Sequence, residues 1–170
     1  MILVPLIDLK FLNEIGVAIR METVQCAVLN GKVDCARYLL DRYSEPVTLD
    51  FVHNILVTAA MAECLQCLEI SWNKFEPVRH LQDEWTVLLQ AALYGRPSIL
   101  EFGRTNQFAA FQLPEHAATM VRFVVHGGHV CCLEYVYNLG LTATAEDLKH
   151  ATFSGHTTAV QFLIAHDVPV

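Results

Sequence analysis

Ala27-Val28-Leu29-Asn30-Gly31-Lys32-Val33-Asp34-Cys35-Ala36-Arg37-Tyr38-Leu39-Leu40 is the stretch on which the reading of this chain turns. It is the end of one helix, a glycine, and a second helix with apolar residues at i, i+3 and i+4. The pattern returns at Ala91-Ala92-Leu93-Tyr94-Gly95-Arg96-Pro97-Ser98-Ile99-Leu100-Glu101-Phe102. Midway between them lies Ala59-Ala60-Met61-Ala62-Glu63-Cys64-Leu65-Gln66-Cys67-Leu68-Glu69-Ile70, where Glu63 holds the glycine position, equidistant from Gly31 and Gly95. A fourth copy runs through Val124-Val125-His126-Gly127-Gly128-His129-Val130-Cys131-Cys132, its Gly128 one further step beyond Gly95. A fifth, Ala151-Thr152-Phe153-Ser154-Gly155-His156, follows after a shorter step.

A period of roughly 32 residues means that each unit is one supersecondary element which cannot bury its own apolar face. Gly31, Gly95, Gly128 and Gly155 supply a tight turn with positive φ between two antiparallel helices. The small pair before the turn (Ala27/Val28, Ala59/Ala60, Ala91/Ala92) allows close approach to a neighbour. Four positions after the turn come Cys35, Cys67, Ile99, Cys132 and Ala159; three further on come Tyr38, Ile70, Phe102, Tyr135 and Phe162. These two positions share a helix face and are expected to form the seam between two helix layers. Upstream, Pro5 to Gly16 reads as a second helix standing alone, a half repeat.

With those residues in place, the chain resembles the ankyrin repeat family over nearly its whole length. Trp85-Thr86-Val87-Leu88-Leu89-Gln90-Ala91-Ala92-Leu93-Tyr94-Gly95 is the best local match to that family's first helix and turn. Gly128-His129 and Gly155-His156 supply its Gly-His pair, while no copy carries the complete Thr-Pro-Leu-His tetrad. The resemblance implies an all-α, ankyrin-like helical repeat solenoid of about five helix pairs with an N-terminal half repeat. Its single domain would comprise a half unit at 1–16 and units at 17–46, 47–78, 79–110, 111–141 and 142–170. Helix pairs are expected near 22–30 with 32–42, 51–62 with 64–73, 84–94 with 97–104, 115–126 with 129–139, and 145–154 with 156–166.

Composition narrows the function. With 54% hydrophobic and 17% charged residues, disorder is not expected over most of the chain. A mean hydropathy of +0.36 fits a piece of a longer array with uncovered ends, or a chain that self-associates through them. The formal charge is −7, and the eleven basic residues are scattered. Nucleic acid and anionic lipid both attract clustered Lys and Arg, so neither is an expected partner. The apolar start, Met1 to Ile7, has no basic residue before it and meets Asp8. It does not read as a secretory signal, and no stretch approaches a membrane span. The six cysteines are therefore expected as thiols in a reducing intracellular compartment such as the cytoplasm.

Chemistry-bearing residues all have a repeat-register explanation. His126-Gly127-Gly128-His129-Val130-Cys131-Cys132 has a zinc-like content, yet His129 is the post-glycine position and Cys132 the seam. Cys64-x-x-Cys67 has redox spacing at a helix start, yet Cys67 repeats the seam position of Cys35 and Cys132. Ser154-Gly155-His156 sits in a turn that the repeat accounts for, and no phosphate loop or His-Glu-x-x-His motif is present. No catalytic activity, metal or cofactor is expected. The ankyrin resemblance implies binding of another protein through first helices and the fingers before them. Trp85, flanked by Arg79, His80, Asp83 and Glu84, is either an exposed anchor there or a plug in the groove between repeats. Phe108 and Phe111, in the joint at 105–114, are open to the same two roles, and acidic residues from Asp41 to Glu84 fall near joints.

Overall fold

Residues 18–43, 46–78, 80–112 and 114–169 are described by the computed structural model of the chain. In it the five turn positions share one backbone conformation: φ is 62° at Gly31, 55° at Glu63, 67° at Gly95, 71° at Gly128 and 74° at Gly155. At Gly31, Glu63, Gly95 and Gly155 the closure is of the Schellman type, while Gly128 N–H donates to both Val124 and Val125. Gly31 N–H donates to the Val28 carbonyl and Lys32 N–H to Ala27; Glu63 and Cys64 do the same to Ala60 and Ala59. Gly95 and Arg96 bond to Ala92 and Ala91, and Gly155 and His156 to Thr152 and Ala151. The small pair before each turn thus supplies the acceptors, and at Ala27/Val28, Ala59/Ala60 and Ala91/Ala92 it is buried as well. Glycine reaches this conformation freely, whereas Glu63 holds it at a cost of about 1 kcal/mol.

The chain divides into two compact units, Met1–His80 and Leu81–Val170. In the first, α1 (Met21–Leu29) and α2 (Val33–Arg42) are followed by α3 (Leu49–Met61) and α4 (Leu65–Lys74), then a 3-10 turn at Glu76–Val78. The second holds α5 (Leu81–Leu93), α6 (Pro97–Thr105), the short α7 (Ala109–Gln112), α8 (Pro114–Gly127), α9 (Val130–Asn138), α10 (Ala145–Phe153) and α11 (Thr157–Ala165). The expected helix pairs lie within a few positions of these bounds, and the described residues contain no strand. The half repeat expected at 1–16 lies outside the described residues.

Local chemistry sets several helix starts. Thr48 Oγ1 accepts from Phe51 N–H at 3.1 Å and caps α3. Thr144 and Asp147 form a reciprocal capping box on α10, with Thr144 N–H donating to Asp147 at 2.8 Å. Pro97 stands in the first turn of α6, where a missing N–H costs nothing.

Each unit is layered. α1 packs on α3 and α2 on α4; in the second unit α5 packs on α8 and α8 on α10, while α6 packs on α9 and α9 on α11. First helices thus pair with first helices and second helices with second helices. The second-helix stripe is offset from the expected seam. Cys67, Ile99, Cys132 and Ala159 are buried, but Cys35 is half-buried; at the other expected position only Phe102 is buried, and Tyr38, Ile70, Tyr135 and Phe162 are half-buried. The buried stripe also takes in the next position, at Ala36, Leu68, Leu100 and Leu133, and the one three beyond that, at Leu39, Ser71, Gly103, Val136 and Leu163, while in α11 Ala159 is buried and Val160 half-buried. Tyr38 and Tyr135 sit at the rim: Arg42 lies 4.1 Å over the face of the Tyr38 ring, and Tyr135 OH donates to Glu101 Oε2 at 2.7 Å.

Candidate binding surface

The first helices bury one stripe and leave the opposite one open. In α1, spacing by three and four positions puts Glu22, Gln25, Cys26 and Leu29 on the open face. In the same unit Thr58 and Met61 occupy it on α3. These six residues line an open groove of about 380 Å³ between the two helices, and Leu29 is 56% exposed in it. Asn30 Nδ2 donates to the Cys26 carbonyl at 2.8 Å, tying off the C-terminus of α1 beside the groove.

One register position recurs on the first helices of both units. The residue two before the turn is Leu29, Met61, Leu93, His126 and Phe153, a large side chain in every copy. None is buried, and Phe153 is 92% exposed. Leu29, His126 and Phe153 are exposed and Met61 and Leu93 half-buried, and large apolar groups left open at a constant register mark a contact surface. An apolar residue near a helix end reads as core, so the sequence alone does not single this position out. The usable signal is its size in all five copies beside a small, buried neighbour pair.

The backbone behind that position is latched between repeats in the second unit. His129 Nε2 lies 3.0 Å from the Leu93 carbonyl, and His156 Nε2 lies 2.9 Å from the His126 carbonyl. In each case the imidazole after one turn reaches the residue two before the preceding turn. A Cβ on Gly95 would lie 2.7 Å from His129 Cγ, and one on Gly128 2.4 Å from His156 Cγ, so the bare turn makes room for the ring. This accounts for the Gly-His pairs by packing.

The residues around Trp85 divide between packing and surface. Trp85 lies inside α5, which begins at Leu81. Its half-buried ring meets His116 and Phe123 of α8 edge to face, at 5.1 and 5.8 Å, so it fills the angle between two first helices. Asp83 is 7% exposed. Glu84 accepts from Ala109 N–H at 2.9 Å, which ties it to the start of α7. His80 is exposed, and Arg79 lies outside the described residues. Phe108 is buried edge-on to Phe102 at 5.9 Å, so the joint before α8 is packed inward.

The chemistry-bearing residues do not assemble a reaction centre. Among the described residues no three His, Cys, Asp or Glu converge as metal ligands. Cys132 is buried, with its S–H 3.9 Å from the Ala91 carbonyl, and exposed Cys131 points its S–H to the Gly95 carbonyl at 3.6 Å. Burial pushes the Cys67 thiol up to about 12, and contact with the Cys64 thiol adds to the rise. On α6, Arg104 Nε donates to Glu101 Oε2 at 2.9 Å and Tyr135 OH reaches the same oxygen, holding that carboxyl down near 2. Burial, and then the Glu101 carboxylate, raise the Tyr135 phenol. Both partners of the Glu101–Arg104 pair are nearly half exposed, so this is a surface brace. Comparison with family models, with curated proteins and with solved structures finds no match.

Proposed function

We propose that the chain is an ankyrin-like repeat module that binds another protein through the open face of its first helices. The observation that carries this reading is the outward position held by Leu29 and Met61 in the first unit and by Leu93, His126 and Phe153 in the second, with the groove between α1 and α3. Two helix layers and repeated turns hold such a face, on which Leu29 and Phe153 are exposed. A face so held loses little conformational freedom on docking, and each large apolar side chain it buries contributes about 1.5–3 kcal/mol.

Self-association is the second reading, favoured by Phe153 and the 51% exposed Ile164 on the final helix pair. The two are separated by affinity capture from cell lysate with wild type, a Leu29→Asp/Met61→Asp double variant, Phe153→Asp, and Glu134→Ala on a second helix as control. The proposal expects named partners retained by wild type and the control, and lost from the first-helix variants at unchanged circular dichroism. Equal retention by all four overturns it. Light scattering at two concentrations reads self-association directly, because only that reading expects mass to rise with concentration.

A further inference from the structure

The second repeat departs from the others at two adjacent positions. Its turn residue is Glu63, and the next residue is Cys64, where the other copies place Lys32, Arg96, His129 and His156. In two of those copies this position reaches back to an earlier repeat. It is a surface position, so packing does not call for a thiol there. Cys64 is the N-cap of α4 and has no side-chain cap hydrogen bond, while Cys67 opens the buried stripe of the same helix.

Geometry brings the pair together. Residues three apart at a helix start share a face with Cβ atoms about 5–6 Å apart, and a disulfide brings them to about 3.5–4.5 Å, a closure of about 1–2 Å. The non-helical backbone of Cys64 (φ −86°, ψ 81°) frees its side chain from the rotamers of the helix interior. Burial, and after it the neighbouring Cys64 thiol, keep the proton on Cys67. Cys64 is half-buried and within reach of solvent; Cys67 is fully enclosed.

We propose that Cys64 and Cys67 form a reversible dithiol–disulfide site that exchanges with small-molecule disulfides, Cys64 as the attacking thiol and Cys67 as the resolving one. Cys64, as the thiolate, attacks one sulfur of the small disulfide, forms a mixed disulfide and expels the first thiolate. Cys67 gives up its proton and attacks Cys64 Sγ, closing the protein disulfide and expelling the second thiolate. The two protons lost by the protein thiols pass to the two leaving groups, so the small disulfide is reduced to two thiols as the protein pair is oxidised. The accessible thiol attacks because the small disulfide cannot reach Cys67.

The test uses the full chain and oxidised glutathione, followed by blocking of free thiols with N-ethylmaleimide and tryptic mapping. Residues 43–74 form one tryptic peptide whose two cysteines are Cys64 and Cys67. That peptide is expected without label and lighter by two hydrogen atoms, and dithiothreitol is expected to restore both labels. Cys67→Ala is expected to stop with glutathione on Cys64, and Cys64→Ser to leave Cys67 unmodified. The proposal is overturned if wild type ends with glutathione on Cys64 beside a labelled Cys67. It is equally overturned if both cysteines take the label while exposed Cys131 is glutathionylated. Should Cys67→Ala fail to fold, the wild-type peptide mass alone decides.

Discussion

Glu63 isolates the cost of one side chain in a left-handed turn whose other four members are glycine. Glu63→Gly is expected to raise the midpoint of urea unfolding, with a gain of about 0.5–1 kcal/mol after allowing for the extra freedom of glycine in the unfolded chain. A lowered midpoint would mean that the Glu63 side chain contributes more than its backbone costs. Ser71 is the converse case: its Oγ is buried with no hydrogen-bond partner among the described residues. Ser71→Ala is expected to be neutral or to stabilise by about 1 kcal/mol in the same measurement, because a desolvated hydroxyl is removed and little volume is lost. A clear loss of stability would contradict the packing given for α4. Glu101 titrates low because Arg104 and, after it, Tyr135 donate to it. A carboxylate whose folded value is depressed adds stability above its unfolded value, and that increment is lost as pH falls from about 4.5 towards 2. Tyr135→Phe is expected to move the Glu101 midpoint upwards by NMR titration and to soften this acid loss; an unchanged midpoint contradicts the contact.

At the scale of elements, the glycines separate by what surrounds them. Gly31 has open space where a Cβ would stand, whereas a Cβ on Gly127 would lie 2.1 Å from the Ala92 carbonyl oxygen, at the crossing of α8 over α5. Gly31→Ala is expected to cost about 1 kcal/mol from backbone strain alone. Gly127→Ala must separate two backbones and is expected to cost about 3 kcal/mol or leave the second unit unfolded. Thermal melts of the two variants check the order, and equal melting temperatures would contradict the packing of α5 against α8. The helix pairs were legible because a turn glycine and an i, i+3, i+4 pattern return together. The width of the buried stripe was less so, since Cys67-Leu68, Ile99-Leu100 and Cys132-Leu133 are adjacent apolar pairs of which both members are buried, and periodicity does not mark that. The start of α5 at Leu81 was not legible because no Ser, Thr, Asp or Asn marks it, and the residues around Trp85 do not say which neighbours its ring meets. The particular residues of the open face were not singled out, because Leu29, Met61 and Phe153 look like core until their small neighbours are seen to fill the space.

For the whole molecule, the proposal rests on a face that recognises apolar surface, with the acidic balance of −7 in a secondary role. Partner capture is therefore expected to persist when salt is raised to about 0.5 M, where exposed ion pairs are largely screened. Among the described residues no helix is long and apolar enough to cross a membrane, and the uncovered groups lie on short amphipathic helices. The measurement that bears most directly on this account is amide hydrogen exchange on the chain, free and bound to a captured partner. Slowed exchange in α1 and α3, or in α5, α8 and α10, with α2, α4, α6, α9 and α11 unchanged, is the predicted result. Protection confined to the second helices, with the first helices exchanging as in the free chain, would contradict it.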